Sequence, residues 1–184
     1  LAGQNNNAND NTFVGFESGV VNTSGTHNTF VGYNTGTNNQ IGIQNTFIGA
    51  FAGLSNQVDN NTFVGFRAGL LNTSGNNNTF IGSLCGDANT IGDSNPALGY
   101  SALGANISGN DCTMIGYHAG LLNTAIDNTF VGSQCGDANT SGSRNTALGK
   151  DALGANISVN DCTMIGYQAG LVNLATGNTF VGSN

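Results

Sequence analysis

A short motif recurs along almost the whole chain at nearly constant spacing, and this regularity limits the fold more than any other feature. The motif N-T-F-V-G, or a close variant, begins eleven times, and consecutive starts are 16 or 17 residues apart. A period this short and uniform indicates one structural unit per repeat, stacked along an axis. We therefore predict an all-β fold, a parallel β-solenoid or β-roll of about eleven coils. The motifs begin at Asn11, Asn28, Asn45, Asn61, Asn78, Asn95, Cys112, Asn128, Asn145, Cys162 and Asn178.

The repeat also sets the domain organisation. Residues 1–10 precede the first motif and are predicted to be an N-terminal lead-in, and residues 11–184 are predicted to form a single solenoid domain that stops within its last coil. A longer period is superimposed, since residues 85–123 match residues 135–173 at 30 of 39 positions, an offset of 50 residues or three coils. Duplication of a three-coil block explains this match.

A second asparagine follows each complete motif by eleven residues, whereas the remainder of the coil is five or six residues long. The length variation is therefore confined to one turn, and the constant part is expected to hold two strands per coil. Asparagines that stack at a turn can hydrogen-bond from coil to coil, as in the amide ladders of cross-β structures. We predict such a structural ladder from Asn22, Asn39, Asn56, Asn72, Asn89, Asn106, Asn123, Asn139, Asn156 and Asn173.

The motif itself reads as a strand with two apolar faces. Its second residue is Thr except at Pro96, and its fourth is always Val, Ile or Leu. These two positions share one face, which is expected to point into the coil opposite a column of small residues. The third position would then form an exposed apolar stripe, which soluble monomers rarely tolerate, so we expect oligomerisation along it. The stripe is Phe13, Phe30, Phe47, Phe63, Phe80, Ala97, Met114, Phe130, Ala147, Met164 and Phe180.

Composition argues against several function classes. The net charge is −7 with only three Lys and Arg residues, so no basic patch is expected to bind nucleic acid. No apolar run approaches the ~20 residues that would span a bilayer, so no membrane insertion by this segment is expected. No phosphate-binding loop or nucleophile-base motif occurs, and we expect no enzymatic activity, no cofactor and no metal site.

The cysteines and several acidic residues repeat with the 50-residue period. The members of each cysteine pair lie two coils apart, or ~10 Å along the axis, which is too far for an intrachain disulfide. They are either small buried apolar residues or partners in interchain disulfides. The acids are interpreted as solvated turn residues in preference to Ca²⁺ ligands. These residues are Cys85, Cys112, Cys135, Cys162, Asp87, Asp137, Asp111 and Asp161.

Two strings, N-T-F-V-G-F-R-A-G-L-L-N-T-S-G over residues 61–75 and N-T-A-L-G-K-D-A-L-G-A-N-I-S over residues 145–158, point to a family. They resemble repeats of bacteriophage tail fibres and related surface proteins that end in an endosialidase-type intramolecular chaperone. They are also similar to the N-S-V-A-I-G repeats of trimeric autotransporter adhesin heads. The resemblance implies a parallel β-roll, packing of three chains, and attachment to a host or surface.

The functional prediction is a structural or adhesive repeat shaft or head of an extracellular fibre, located outside the cell, on its surface or on a virion. The expected partners are further copies of the chain, as a trimer in preference or as a filament, and an unknown surface receptor such as a glycan. Two alternatives stay open. One is a self-assembling extracellular filament subunit, and the other is an ice-binding solenoid, because flat solenoids with Thr columns can order water.

Overall fold

The computed structural model describes residues 1–183, and Asn184, the last residue of the predicted solenoid, lies outside this range. Every coil contributes one three-residue strand to a single parallel sheet, in which the strands follow one another in chain order. The strands are β1 (Thr12–Val14), β2 (Thr29–Val31), β3 (Thr46–Ile48), β4 (Thr62–Val64), β5 (Thr79–Ile81), β6 (Pro96–Leu98), β7 (Thr113–Ile115), β8 (Thr129–Val131), β9 (Thr146–Leu148), β10 (Thr163–Ile165) and β11 (Thr179–Val181). The predicted parallel β-solenoid is confirmed.

Equivalent residues of successive coils stack directly on one another. Thr12 pairs with Thr29, for example, and Phe13 pairs with Phe30. The same register holds across the coil of 16 residues that begins at Asn45, where Phe47 pairs with Phe63. Each sequence position therefore becomes a column that runs along the solenoid, with ~4.8 Å between its members.

The second half of each coil is a series of turns, so the prediction of two strands per coil is wrong. Glu17 and Gly19 in the first coil have left-handed φ values of 53° and 57°, which no strand accommodates. Backbone hydrogen bonds nevertheless join these turns from coil to coil, as where the Gly19 N–H donates to the Thr35 carbonyl at 3.0 Å. A constant spacing in the sequence can therefore come from turns that stack through hydrogen bonds, and it does not by itself indicate paired strands.

The difference between 16- and 17-residue coils lies in the turn that follows the second asparagine, as predicted. In a 17-residue coil, Asn28 Nδ2 donates to the carbonyl of Gly42, 14 residues later. In a 16-residue coil, the equivalent Asn45 Nδ2 donates to the carbonyl of Val58, 13 residues later. The acceptor is equivalent in both coils, and one residue is missing before it.

The third residue of the motif points into the coil, which reverses the predicted orientation of the strand. The rings of Phe30, Phe47, Phe63, Phe80 and Phe130 are fully buried, and successive Phe rings from Phe13 to Phe80 stack with centroids 4.7 to 5.1 Å apart. Ala97, Met114, Ala147 and Met164 continue this column and are also buried. The proposed oligomer stripe is therefore the hydrophobic core. Only its ends differ, since Phe13 is half-buried and Phe180 in the last coil is exposed.

Small residues on the opposite wall decide this orientation. A Cβ atom added to Gly53 would lie 2.6 Å from two carbons of the Phe47 ring, so the ring occupies the space that the glycine leaves. Ala52 beside it is fully buried as well. The column of small residues was expected to make a coil thin enough for Val and Ile. In the coils whose strand carries Phe, it makes room for the aromatic ring instead.

The glycine that ends each strand allows two coils to approach closely. Gly49 has a φ of 130°, and a Cβ on it would lie 2.5 Å from the carbonyl oxygen of Gly65 in the next coil. Both the backbone conformation and the contact exclude a side chain at this position. This requirement explains why the motif always ends in glycine.

The segment before the first motif also stacks on the solenoid. The Gly3 N–H donates to the Ser18 carbonyl at 2.9 Å, and the Asn5 N–H donates to the Val20 carbonyl at 3.2 Å. Gly3 has a φ of 56°, like Gly19 above it. Residues of the predicted lead-in thus cover the turn half of the first coil.

Candidate functional site

The predicted ladder asparagines are all buried, and several form a chain of amide hydrogen bonds. Asn72 donates to Asn56 at 2.8 Å, Asn89 to Asn72 at 2.7 Å, and Asn106 to Asn89 at 2.6 Å. Asn139 donates to Asn123 in the same way, whereas Asn156 donates to the backbone carbonyl of Asn173. The side-chain amides of Asn22 and Asn39 are buried without a hydrogen-bond partner within residues 1–183. The ladder is therefore continuous only in part.

A second and more regular ladder runs through the first residue of the motif. Asn78 is representative: its Oδ1 accepts from the Asn95 N–H of the next coil at 2.9 Å, and its Nδ2 donates to the Gly92 carbonyl at 2.8 Å. One amide thus ties two coils together and closes its own coil. This ladder is not predicted from the sequence, although the first position is Asn in nine of eleven motifs.

The cysteines occupy two kinds of buried position. Cys85 and Cys135 replace the small residue that faces the core, and Cys112 and Cys162 replace the first asparagine of the motif. All four are free thiols. Burial raises the pKa of Cys85 and of Cys135 to about 12. The structure agrees with the interpretation as small buried residues, because none of these sulfur atoms is at the surface where a second chain could meet it.

The acidic residues lie at turns. Arg144 donates from Nε to Asp161 in the next coil at 2.6 Å, and this exposed pair lowers the pKa of Asp161. Partial burial raises the pKa of Asp87 and of Asp137. Within residues 1–183 no cluster of three or more His, Cys, Asp or Glu side chains could hold a metal ion.

The exposed side of the sheet is the most distinctive surface of the solenoid. It consists of the first and third residues of strands β1 to β11, that is Thr or Pro96 followed by Val, Ile or Leu, and we name it the outer strand face. These residues were predicted to point into the coil, but none of them is buried. Ile81 is 37% exposed in the middle of the sheet and Leu98 beside it is 47% exposed. The face presents one column of hydroxyl groups beside one column of aliphatic groups.

Aromatic side chains border the outer strand face on one side. The rings of Phe16 and Tyr33 stack at 5.5 Å, and those of Tyr100 and Tyr117 stack at 5.6 Å. Tyr117 also stacks on His118 at 3.9 Å. These four aromatic residues of the sixth motif position are each about half exposed. They extend the apolar character of the face around the corner of the coil.

An apolar hollow of about 350 Å³ lies at this corner, lined by Phe51, Leu54, Phe66, Arg67 and Leu70. It holds one charged group and no nucleophile beside a base. Such a hollow adds apolar surface next to the aromatic residues of the sixth motif position, and it contains no pair of groups that could transfer a proton.

No known protein family matches this chain, and no curated protein or solved structure is significantly similar to it. The resemblance to fibre and adhesin repeats therefore stays a prediction. None of the described residues 1–183 forms a helix that is long and apolar enough to span a membrane. What the geometry establishes is a structural repeat fold with an ordered interior and a uniform outer face.

Proposed function

We propose that the chain is a stiff structural rod that serves as the repeat shaft of an extracellular fibre or surface adhesin. The observation that carries this proposal is the uninterrupted register from β1 to β11, in which every strand stacks on its neighbour in parallel. A parallel stack of eleven strands is ~50 Å long, and each coil contacts only its neighbours. Such a rod spaces or presents a binding element.

Three interactions make the rod stiff. The stacked Phe rings fill the interior, the first-position asparagines link successive coils, and the glycines after the strands bring the backbones into close contact. Bending the rod would open all three on one side. The likeness of residues 61–75 and 145–158 to fibre and adhesin repeats supports a location outside the cell. A surface receptor such as a glycan is proposed on the same ground.

A change in the number of coils tests the rod. Deletion of residues 85–134 joins Leu84 to Cys135 and removes one 50-residue period, so that the remaining coils keep their register. Small-angle X-ray scattering should show a particle shorter by ~14 Å, since three strand spacings are lost. The melting temperature should fall, because stability in stacked repeats grows with their number. An unchanged length, or a broad distribution of lengths, would contradict a stiff rod.

The matched control deletes residues 85–126, which removes a similar number of residues but joins Leu84 to Asp127 out of phase. This variant should lose the cooperative melting transition, because the coils on the two sides of the junction cannot stack. Retention of the wild-type transition would mean that register between coils does not hold the rod together.

Ice binding is a second candidate, and the orientation of the strands favours it more than the sequence did. The Phe column is buried, and the Thr column stands at the surface beside Val, Ile or Leu. A regular face of hydroxyl and methyl groups is suited to ordering water. Thermal hysteresis of the purified chain that Thr62→Tyr with Thr79→Tyr abolishes would support this function. No hysteresis in the wild-type protein would end it.

A further inference from the structure

The outer strand face is exposed yet free of charge along its whole length. All ten Asp and Glu residues and all three Lys and Arg residues lie outside the strands. A chain with a net charge of −7 thus keeps one long surface of aliphatic and hydroxyl groups. Contiguous surfaces of this kind on soluble proteins mark sites of interaction.

The repeat gives this face a regularity that restricts what can cover it. Its columns have one side chain every ~4.8 Å, because each strand contributes one Thr and one aliphatic residue in register. A second copy of the chain carries columns with the same period, so contacts made at one coil are repeated at every other coil. The surface of an unrelated globular protein has no such period and would match only a few coils.

The size of the face fits a stable association. Eleven strands of three residues cover ~50 Å by ~10 Å, so the two columns of one copy offer ~500 Å², and the half-exposed aromatic residues of the sixth motif position add to this area. Biological interfaces bury at least ~1,000 Å² in total, or ~500 Å² on each partner. Two such sheets would pack ~10 Å apart with their side chains interdigitating, as sheets do in β-sandwiches.

Polar groups are placed where the rim of such an interface would be. The residue two positions before each strand carries much of the charge, including the exposed ion pair of Arg144 with Asp161 and the pair of His27 with Asp10 at 3.7 Å. Specific interfaces likewise have an apolar centre depleted in charge and a polar, accessible rim.

We infer that the outer strand face binds a second copy of this chain, sheet against sheet, with the Val, Ile and Leu column at the centre of the interface. The Phe, Met and Ala column cannot serve this purpose because it is buried in each copy. This inference goes beyond the rod function, since a rod that stays monomeric would keep that function and overturn this inference alone.

The test compares two pairs of Ile→Asp substitutions by sedimentation equilibrium over a range of protein concentrations. The first variant, Ile81→Asp with Ile115→Asp, places two carboxylates on the outer strand face, two coils apart. The wild-type chain should sediment as a dimer or larger assembly. The variant should have a dissociation constant raised ~100-fold or more, because the carboxylates would be buried without partners.

The matched control, Ile91→Asp with Ile126→Asp, makes the same change two coils apart in turns away from the sheet. Those isoleucines are 53% and 44% exposed, against 37% and 39% for Ile81 and Ile115. The control should assemble like the wild type, and circular dichroism should show all three proteins folded. A wild-type chain that is monomeric at every concentration would overturn the inference, whether or not it shows thermal hysteresis. A folded outer-face variant with the wild-type mass would overturn it too.

Discussion

Gly86 lies directly against the ring of Phe80, so that a Cβ atom on the glycine would stand 2.5 Å from Cε2 of the ring. Where the strand carries Ala97 or Ala147 instead of Phe, the position of this glycine is occupied by Leu103 or Leu153. Both leucines are fully buried, and both have the left-handed φ of 55° that the glycines have elsewhere. One core slot per coil is thus filled either from the strand or from the turn.

This exchange predicts a strong coupling between Ala147 and Leu153. Ala147→Phe alone should lower the free energy of unfolding by roughly 3 kcal/mol, because the ring overlaps Leu153. Leu153→Gly alone should cost about 2 to 5 kcal/mol through the cavity it leaves. The double variant should return to within about 1 kcal/mol of the wild type, since it recreates the pair of Phe80 and Gly86. Urea unfolding of the four proteins measures this coupling, and additive losses would contradict it.

The reversed strand predicts opposite outcomes for two adjacent residues. Phe63→Ala should lower the free energy of unfolding by about 3 to 5 kcal/mol, because it empties a slot between two stacked rings. Val64→Ala, one residue later, should cost less than about 1 kcal/mol, since Val64 lies on the outer strand face. Thermal and chemical unfolding of the two variants, compared at one protein concentration, gives the answer. Equal losses in the free energy of unfolding would contradict the observed orientation of the strand, with Phe63 inside and Val64 outside.

The ladder formed by the first residue of the motif predicts opposite changes in the free energy of unfolding when one asparagine is removed and another is introduced. Asn78→Ala should cost about 2 to 4 kcal/mol, because the Asn95 N–H and the Gly92 carbonyl lose their partners in the interior. Cys112→Asn should stabilise the chain by about 1 kcal/mol, since Asn45 already makes both bonds in another 16-residue coil. Chemical unfolding measures both. A destabilised Cys112→Asn variant would show that this slot is adapted to sulfur.

The buried thiols predict a loss of stability at alkaline pH. Burial raises the pKa of Cys85 and of Cys135 from 9.0 to about 12, so the folded chain keeps protons that the unfolded chain releases. Their contribution is full below pH 9 and falls as the pH rises toward 12, by up to roughly 4 kcal/mol for each thiol. Cys85→Ala with Cys135→Ala should flatten the profile of unfolding free energy between these values. Parallel profiles of the wild type and this variant would contradict the assignment.

The sequence by itself determined the period, the parallel stacking and the turn that absorbs the length change. These follow from spacing, because equivalent residues of a regular repeat must stack whatever their side chains do. The exchange between Ala97 and Leu103 was also visible in the A-L-G-A-N coils. The pattern alone does not predict that these residues share one core slot, since they come together only in the folded coil.

Only the tertiary structure decided which face of the strand is inside. The strand carries an aliphatic side chain on one face, Val64 beside Thr62, and an aromatic one, Phe63, on the other. Both faces are therefore apolar enough to be buried, and alternation alone does not show which one is. The turn half of the coil resolves this choice, because Gly69 leaves a space that fits the Phe63 ring. That contact placed the aromatic column in the core and the Thr and aliphatic columns at the surface, where a second chain can reach them.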